Sequence, residues 1–493
     1  MHIIDIAIVI VYLIGITLFG LRFRTKERSL RSYFLADRNI PWWAISLSIV
    51  AAETSTLTII SIPGLAYETN FGFLQIVIGY MIGRIVISLI FLPQYFKGEL
   101  FTAYQLIERR FGRVLHKLTA FVFLLTRAAA EGVRVVAIAL VIRIAIQSIT
   151  PIASGTGDIL SIGIITLLTL IYTFEGGMAA VIWTDVIQTG IYIGGAVVGV
   201  FTIFHLVPGG WSAIHATASA AHKFDVFDFS WSLTKTYTFW AGLIGGAFLT
   251  TASHGTDQLM VQRLLAARTQ RESKLALLAS GGAIFIQFTL FLLVGASLYV
   301  FYSAKHFPKS DEIFPTFIVE HMPHGISGLL IAAILAAAMS NLSAALNSLS
   351  STSIVDFYLR IFPNTDERQR TAVSRAFTVF WAAALFGLAI LSRGGGRVVE
   401  VGLSIASVAY GGLLGVFLLG TLTKRANQAG AIFGMVCGLI TNLLLWRRPE
   451  ALHIPKVAWT WYVTIGASLT FIVGYLASLL MPQAPSAKES ADA

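Results

Sequence analysis

Two stretches of this sequence put neutral oxygens where a lipid-facing helix would carry only apolar side chains. Between Ser46 and Gly64, Glu53 is followed by five hydroxyl residues, Thr54, Ser55, Thr56, Thr58 and Ser61. Hydroxyls can satisfy freed carbonyls or coordinate a cation, and Pro63 has no N–H to give to the helical ladder. The pattern predicts a discontinuous helix with free backbone groups at mid-membrane. A continuous helix with Ser and Thr at helix contacts is the blander reading. Between Ala336 and Ser353, three alanines lead into Ser340, Asn341, Ser343 and Asn347. Ser340, Ser343 and Asn347 share one helix face by their spacing. Ser340 and Asn341 offer hard oxygens, which suit Na+ better than thiol or imidazole. Close packing would explain the small residues but not both asparagines. A third stretch, Leu249 to Gln258, holds Thr250, Ser253 and His254, with Gly255 free to turn. Asp257 and Gln258 can equally be a helix cap at the interface.

Charges inside apolar runs are expensive unless paired or solvated. Glu53 and Arg84 lie in successive runs and are expected to pair, to line a solute path, or both. Gln75, Thr58, Thr250 and Ser253 are further candidates to meet a solute. Arg84 tilts the reading toward a solute with a carboxylate, unless Glu53 already neutralises it. Arg127, Glu131 and Arg134 stand at helical spacing and read as scaffold electrostatics near an interface. His254 is a lone imidazole, better suited to packing, capping or lining a solute than to acting as a base. No HExxH, GxSxG or cysteine–histidine pattern occurs, so no enzyme chemistry is expected. Nor is any cofactor. Ser392 to Arg397 does not match a nucleotide loop.

The elements that must position these residues are membrane helices. Of the 493 residues, 56% are hydrophobic and only 12% charged, with mean hydropathy +0.77. The apolar runs are continuous rather than alternating and many reach the length of a spanning helix, which excludes a β-barrel. The single cysteine, Cys437, cannot form an intrachain disulfide. The net charge of +10 belongs to loops that set membrane orientation, and no nucleic acid is expected as a partner. Ile3 to Gly20 reads as a retained first span, because its positive charges follow rather than precede it.

The fold class expected is an all-α integral membrane protein with about thirteen transmembrane helices, near 2–20, 41–65, 71–96, 118–146, 156–174, 180–205, 238–258, 275–303, 326–355, 372–391, 398–422, 428–446 and 459–481. Linkers 21–40, 97–117, 259–274, 356–376 and 423–427 carry 6, 5, 4, 4 and 2 basic residues. The opposite ones, 66–70, 147–155, 206–237, 304–325, 392–397 and 447–458, carry 0, 0, 2, 2, 2 and 3. The richer side is expected in the cytoplasm, with the N-terminus outside and the C-terminus inside. The interrupted spans near 41–65 and 238–258 each open a set of five, the layout of an inverted repeat.

The same residues carry a family resemblance. The chain resembles the sodium:solute symporter family in Arg38-Asn-Ile-Pro-Trp-Trp43, in Phe96 to Gly112, in Gly176 to Gln188, in Gly255-Thr-Asp-Gln-Leu-Met-Val-Gln-Arg263 and in Ser340 to Ser348. The resemblance implies a 5+5 inverted-repeat core, with 1–38 an extra N-terminal helix and basic loop, 39–205 the first repeat, 206–422 an extracellular loop and the second repeat, and 423–493 two extra helices and a tail. It implies Na+ as coupling ion, entering with a small solute. By residue matching, the sodium site falls on Ala51 and Thr54 of the first core helix and on Ala337, Ser340 and Asn341 of the eighth. The last position is often a second hydroxyl in the family. Asp185 matches an aspartate that assists a further cation site in some members; Ser343 is nearby, but the next position is Ala344.

Sugar-carrying relatives tend to place amide, aromatic and charged side chains in the central pocket; here Thr250 and Ser253 stand in that region without an aromatic gate at Ser253, which weakens a sugar reading. The function expected is a secondary active symporter that uses the inward sodium gradient to import a small organic solute; Gln75, Arg84, Glu53 and Thr58 suit an amino acid, a carboxylate or a vitamin-like anion, with a carboxylate-bearing solute favoured. The alternative is a sodium-responsive sensor without catalysis. The partners expected are the solute, Na+ and the lipid bilayer of a plasma membrane, with the protein working as a monomer.

Overall fold

A computed structural model describes residues 2–22, 36–97, 103–148, 153–172, 178–392, 397–452 and 455–481. The basic segment 23–35, the glycines at 394–396 and the tail from 482 lie outside these residues, as do parts of two resemblance motifs (98–102 and 173–177). Regular structure among the described residues is helical throughout. Apolar runs in lipid must satisfy their own backbone, and a helix does so within one segment. In chain order the helices are α1 (Ile3–Leu21), α2 (Trp42–Glu53), α3 (Thr56–Glu68), α4 (Leu74–Tyr95), α5 (Tyr104–Phe111), α6 (Arg113–Gln147), α7 (Ser154–Tyr172), α8 (Met178–Leu206) and α9 (Gly210–Ala220). Then follow α10 (Gly246–Gly255), α11 (Gln258–Leu265), α12 (Gln270–Phe301), α13 (Ile313–His321), α14 (Ile326–Thr352), α15 (Glu367–Leu391), α16 (Val398–Leu422), α17 (Gln428–Arg447) and α18 (Tyr462–Leu480).

Among the described residues, eight helices are long and apolar enough to cross a membrane, and α2 with α3 makes a ninth as one bent span. The other four of the thirteen expected spans fall short of that test. α1 and α7 are apolar over shorter stretches, Ile3–Phe19 and Gly155–Leu167. α6 carries charges along its length, and α10 is short even with the π-helical turn Ala241–Gly245 that leads into it.

Small residues set the closest approaches. A Cβ on Gly79 would come within 2.1 Å of the Gly242 carbonyl, and one on Gly246 within 2.5 Å of the Ile76 carbonyl. α4 and the α10 region therefore meet backbone to backbone, which holds Thr250, Ser253 and His254 in fixed relation to Arg84. On the other side α3 runs on through Pro63 and lies against Gly295 of α12, where a Cβ would be 2.1 Å from the Pro63 carbonyl.

Two charged groups lock helix ends. Lys223 gives hydrogen bonds to the Tyr67 and Thr69 carbonyls at 2.7 and 3.1 Å, a cation at the C-terminal end of α3. Burial lowers the pKa of this ammonium. Asp5 of α1 is 1% exposed and accepts the Gly325 and Gly328 amides at 2.7 and 3.2 Å, at the start of α14. A carboxylate at a helix N-terminus is favourable, the more so when desolvated. Removing one such partner leaves buried amides unsatisfied, at about 1–3 kcal/mol. Asp5→Ala is accordingly expected to lower the thermal unfolding temperature in detergent by several degrees, roughly as that energy dictates. An unchanged melting curve would show that α1 does not hold α14.

Candidate functional site

The first site element is the break between α2 and α3. The two helices bend by 64° at Thr54–Ser55. Thr54 has ψ 72°, and Ser55 is extended at φ −74°, ψ 171°. The Ser55 amide turns to the Glu53 carbonyl, 3.0 Å away, and no amide of residue 56 returns to Ala52. The carbonyls of Ala51 and Ala52 thus lose their ordinary helical partners. The interruption lies at Thr54–Ser55, well before Pro63.

A cavity of about 160 Å³ lies beside this break. Its wall includes Ala52, Glu53, Ser55 and Thr58 from the break, Thr250, Ser253 and His254 from α10, and Asn341 and Ala344 from α14. Arg127 and Arg134 of α6, Tyr410 of α16, Asp257 and Arg263 are also part of its polar lining. The structure thus brings Glu53, Thr58, Thr250, Ser253 and Asn341 to one space. Ala51 and Thr54 are buried at the break, and Gln287 Nε2 donates to Thr54 Oγ1 at 2.5 Å. Ala337 is buried on α14, while Ser340, Asn341 and Ser343 are half-buried. Among the described residues these three side chains make no hydrogen bond to protein, so their oxygens are available to a ligand.

Three of the expected residues are engaged elsewhere. Arg84 is fully buried and off the cavity wall; it pairs with Glu53 Oε2 and gives hydrogen bonds to Ser280 Oγ at 3.2 Å and the Tyr80 carbonyl at 3.3 Å. The expected Glu53–Arg84 pair is therefore present, and Arg84, fully buried behind Glu53, does not line the cavity. Gln75 sits at the start of α4, where it donates to the Gly72 carbonyl at 3.1 Å and accepts the Asp228 amide at 3.0 Å. It fastens the 206–237 connection. Asp185 is 3% exposed; Ser48 Oγ donates to it at 2.6 Å and Arg263 Nη2 at 3.1 Å.

The residues that sequence reasoning placed elsewhere are Arg127 and Arg134. Glu131 Oε1 holds both, at 2.9 Å from Arg127 Nη2 and 2.6 Å from Arg134 Nη1. Arg134 is 28% exposed where Glu131 is 1%. Among the described residues its Nε and Nη2 have no protein partner, and Arg127 Nε is buried without one. Asp257 does cap α11, accepting the Leu259 amide at 2.9 Å, but it also faces the cavity, where Tyr410 donates to it at 3.0 Å. Two arginines against one glutamate in a span marked a charged cluster, but no local signal showed which arginine is open; Arg127 Nη1 also lies 3.8 Å from Asp257 Oδ2.

A helix interrupted at mid-length, beside a polar cavity within a bundle of apolar helices, is how secondary transporters hold ions and solutes. That is the class to which this multi-pass membrane protein belongs. The sequence matches the sodium:solute symporter family over residues 33–438, and the chain is a member of that family. It is 29% identical to the sodium/sialic acid symporter SiaT of Proteus mirabilis (strain HI4320), over 99% of this chain and 97% of that one. It is 25% identical to the human sodium-coupled monocarboxylate transporter 1, over 85% of this chain and 68% of that one. A solved substrate-bound, outward-open Na+-coupled sialic acid symporter superposes with TM-score 0.81 at 29% identity, covering 98% of this chain and 99% of that one. The protein is a sodium-coupled symporter and not an enzyme; Na+ is its coupling ion.

Proposed function

We propose that this symporter imports a small carboxylate-bearing organic solute with Na+. The observation that carries the solute class is that Arg134, with guanidinium donors unpaired among the described residues, lines a cavity that also holds Arg127. Planar forked donors bind carboxylates with two parallel hydrogen bonds, and such charge-assisted bonds are the strong ones. The solutes named for the two relatives, a sialic acid and monocarboxylates, are carboxylates too.

Na+ binds between the α2–α3 break and α14 in this reading. The Ala51 and Thr54 carbonyls meet the Ala337 carbonyl, the Ser340 hydroxyl and the Asn341 amide oxygen. The freed Ala51 carbonyl and the unengaged oxygens of Ser340 and Asn341 support it. Asp185 and Ser343 serve a further cation only in a state where Arg263 has left Asp185. Bound Na+ ties the two helices together and favours the outward-open form; solute binding at the break then permits closure, and inward opening parts the ion's ligands.

The first five-helix repeat, 39–205, and the extracellular loop with the second repeat, 206–422, form the core, with 1–38 and 423–493 outside it. The protein lies in the plasma membrane as a monomer of thirteen spans, N-terminus outside and C-terminus in the cytoplasm. The test is uptake into proteoliposomes of labelled carboxylates, neutral sugars and inorganic anions under an inward Na+ gradient. Saturable uptake of a carboxylate, lost when K+ replaces Na+, is expected. Uptake of a neutral sugar with no carboxylate carried, or uptake indifferent to Na+, would overturn the reading.

A further inference from the structure

Glu53 is the last residue of α2, and its carboxylate stands at the wall of the same cavity. One oxygen, Oε2, faces protein: Arg84 Nη2 donates to it, and His254 Nε2 lies 3.3 Å away without the geometry of a hydrogen bond. Arg84 and His254 are 0% and 3% exposed, whereas Glu53 is 11% exposed. The part of the group that is open is thus on the cavity side. Among the described residues Oε1 has no hydrogen-bond partner. On the far side of the imidazole His254 Nδ1 and Ser253 Oγ are 2.9 Å apart, and Thr58 Oγ1 donates to the Glu53 carbonyl at 3.3 Å.

A buried ion pair is no better for stability than apolar side chains of the same shape, so Glu53 and Arg84 need another reason to be here. Arg84 approaches Glu53 from behind, fixes its orientation and leaves one oxygen lone-pair side to the cavity. The opposite charge, the Arg127–Arg134 wall, lines the same space; Asp257 lies 3.8 Å from Arg127, which leaves Arg134 as the open cation. The cavity therefore has two poles, a donor pole on α6 and an acceptor pole at the helix break.

We infer that Glu53, with Ser253 on the same cavity wall, is a specificity-determining group that accepts an N–H or O–H of the solute. The solute is then a carboxylate that also carries an ammonium, amide or hydroxyl donor, rather than a bare carboxylate or an inorganic anion. This rests on the reading of Arg134 as the carboxylate's partner. A bare carboxylate would leave the Glu53 oxygen desolvated against carbon, and a site built for a hydrogen bond rejects the analogue that lacks the donor far more strongly than an apolar pocket rejects an extra methylene.

The experiment measures binding of chosen probes to the full-length purified protein in saturating Na+, by calorimetry. N-acetylneuraminate, gluconate and L-alanine carry a carboxylate with donors; propionate and butyrate carry a carboxylate alone. At least one donor-bearing probe is expected to bind about tenfold or more tighter than propionate and butyrate, the worth of one hydrogen bond to a charged group. Glu53→Gln is expected to remove that advantage while the probe still depends on Arg134. Because Glu53→Gln leaves Arg84 buried without its partner, the double variant Glu53→Gln/Arg84→Gln, which removes both charges, repeats the measurement. Propionate binding as tightly as its donor-bearing counterparts, with Arg134 still required, would overturn the acceptor pole and leave the carboxylate reading standing. A donor-bearing probe whose affinity is unmoved in both Glu53 variants would overturn it equally. Binding that ignores Arg134→Ala in every probe would instead remove the carboxylate reading on which the inference rests.

Discussion

Arg134→Ala is expected to raise the KM for the carboxylate solute by about 30-fold to several-hundred-fold, since a charge-assisted fork lost from a desolvated site costs about 2–4 kcal/mol. The fold should survive the change. Glu131, 1% exposed, keeps Arg127 as its partner at 2.9 Å, so no carboxylate is stranded. Arg127→Ala is the contrasting case, because it would leave Glu131 to Arg134 alone, take away the cation 3.8 Å from Asp257 and open space in a buried wall. Arg134→Lys should recover only part of the loss, since an ammonium cannot make the two parallel bonds of a guanidinium. Initial-rate uptake in proteoliposomes over a range of solute concentrations checks this, with Na+ binding measured on the same preparation. Solute binding gone with Na+ binding retained is the expected split. An Arg134→Ala protein with wild-type KM would mean that the carboxylate is held elsewhere.

How this cavity is built was only partly legible in the sequence. The broken helix announced itself through local chemistry: Glu53 and a run of hydroxyls cannot sit as lipid-facing helix, and a membrane leaves few other solutions. The break's position was less exposed. Pro63 is the obvious disruptor, yet α3 runs through it, because a proline disturbs one ladder position while the Thr54–Ser55 backbone leaves helical angles altogether. The pairing of Glu53 with Arg84 was readable as charge balance between successive spans. Whether a given charge faces a cavity or a neighbouring helix is a matter of helix rotation, and no local signal fixes that. Hence Arg84, which looked like a solute ligand, is enclosed by Glu53, Ser280 and Tyr80, and Arg134, which looked like scaffold, is the open one. Gln75 illustrates the same limit: its amide is taken by a connection that begins more than a hundred residues away.

The largest effect on coupling is expected from Ser340→Ala. The hydroxyl has no protein partner among the described residues, so the helix loses nothing structural when it goes. The proposed ion site loses one of its few oxygens, and Na+ must give up water to bind there at all. The apparent Na+ affinity should fall by about tenfold or more, on the scale of one charge-assisted contact. Linkage then carries the loss to the solute: whatever factor Na+ contributes to solute affinity, solute contributes to Na+ affinity, so at sub-saturating Na+ the variant should also bind solute more weakly. Gradient-driven accumulation is expected to vanish, while slow equilibration of solute at high concentration persists. Asn341→Ser is the informative neighbour. It replaces the amide by the hydroxyl common in the family, keeps an oxygen, and should retain transport with an altered preference between Na+ and Li+. If Ser340→Ala accumulates solute with unchanged dependence on Na+, the ion is not held at α14, and the Glu53 side of the break, with its negative charge beside freed carbonyls, becomes the place to look.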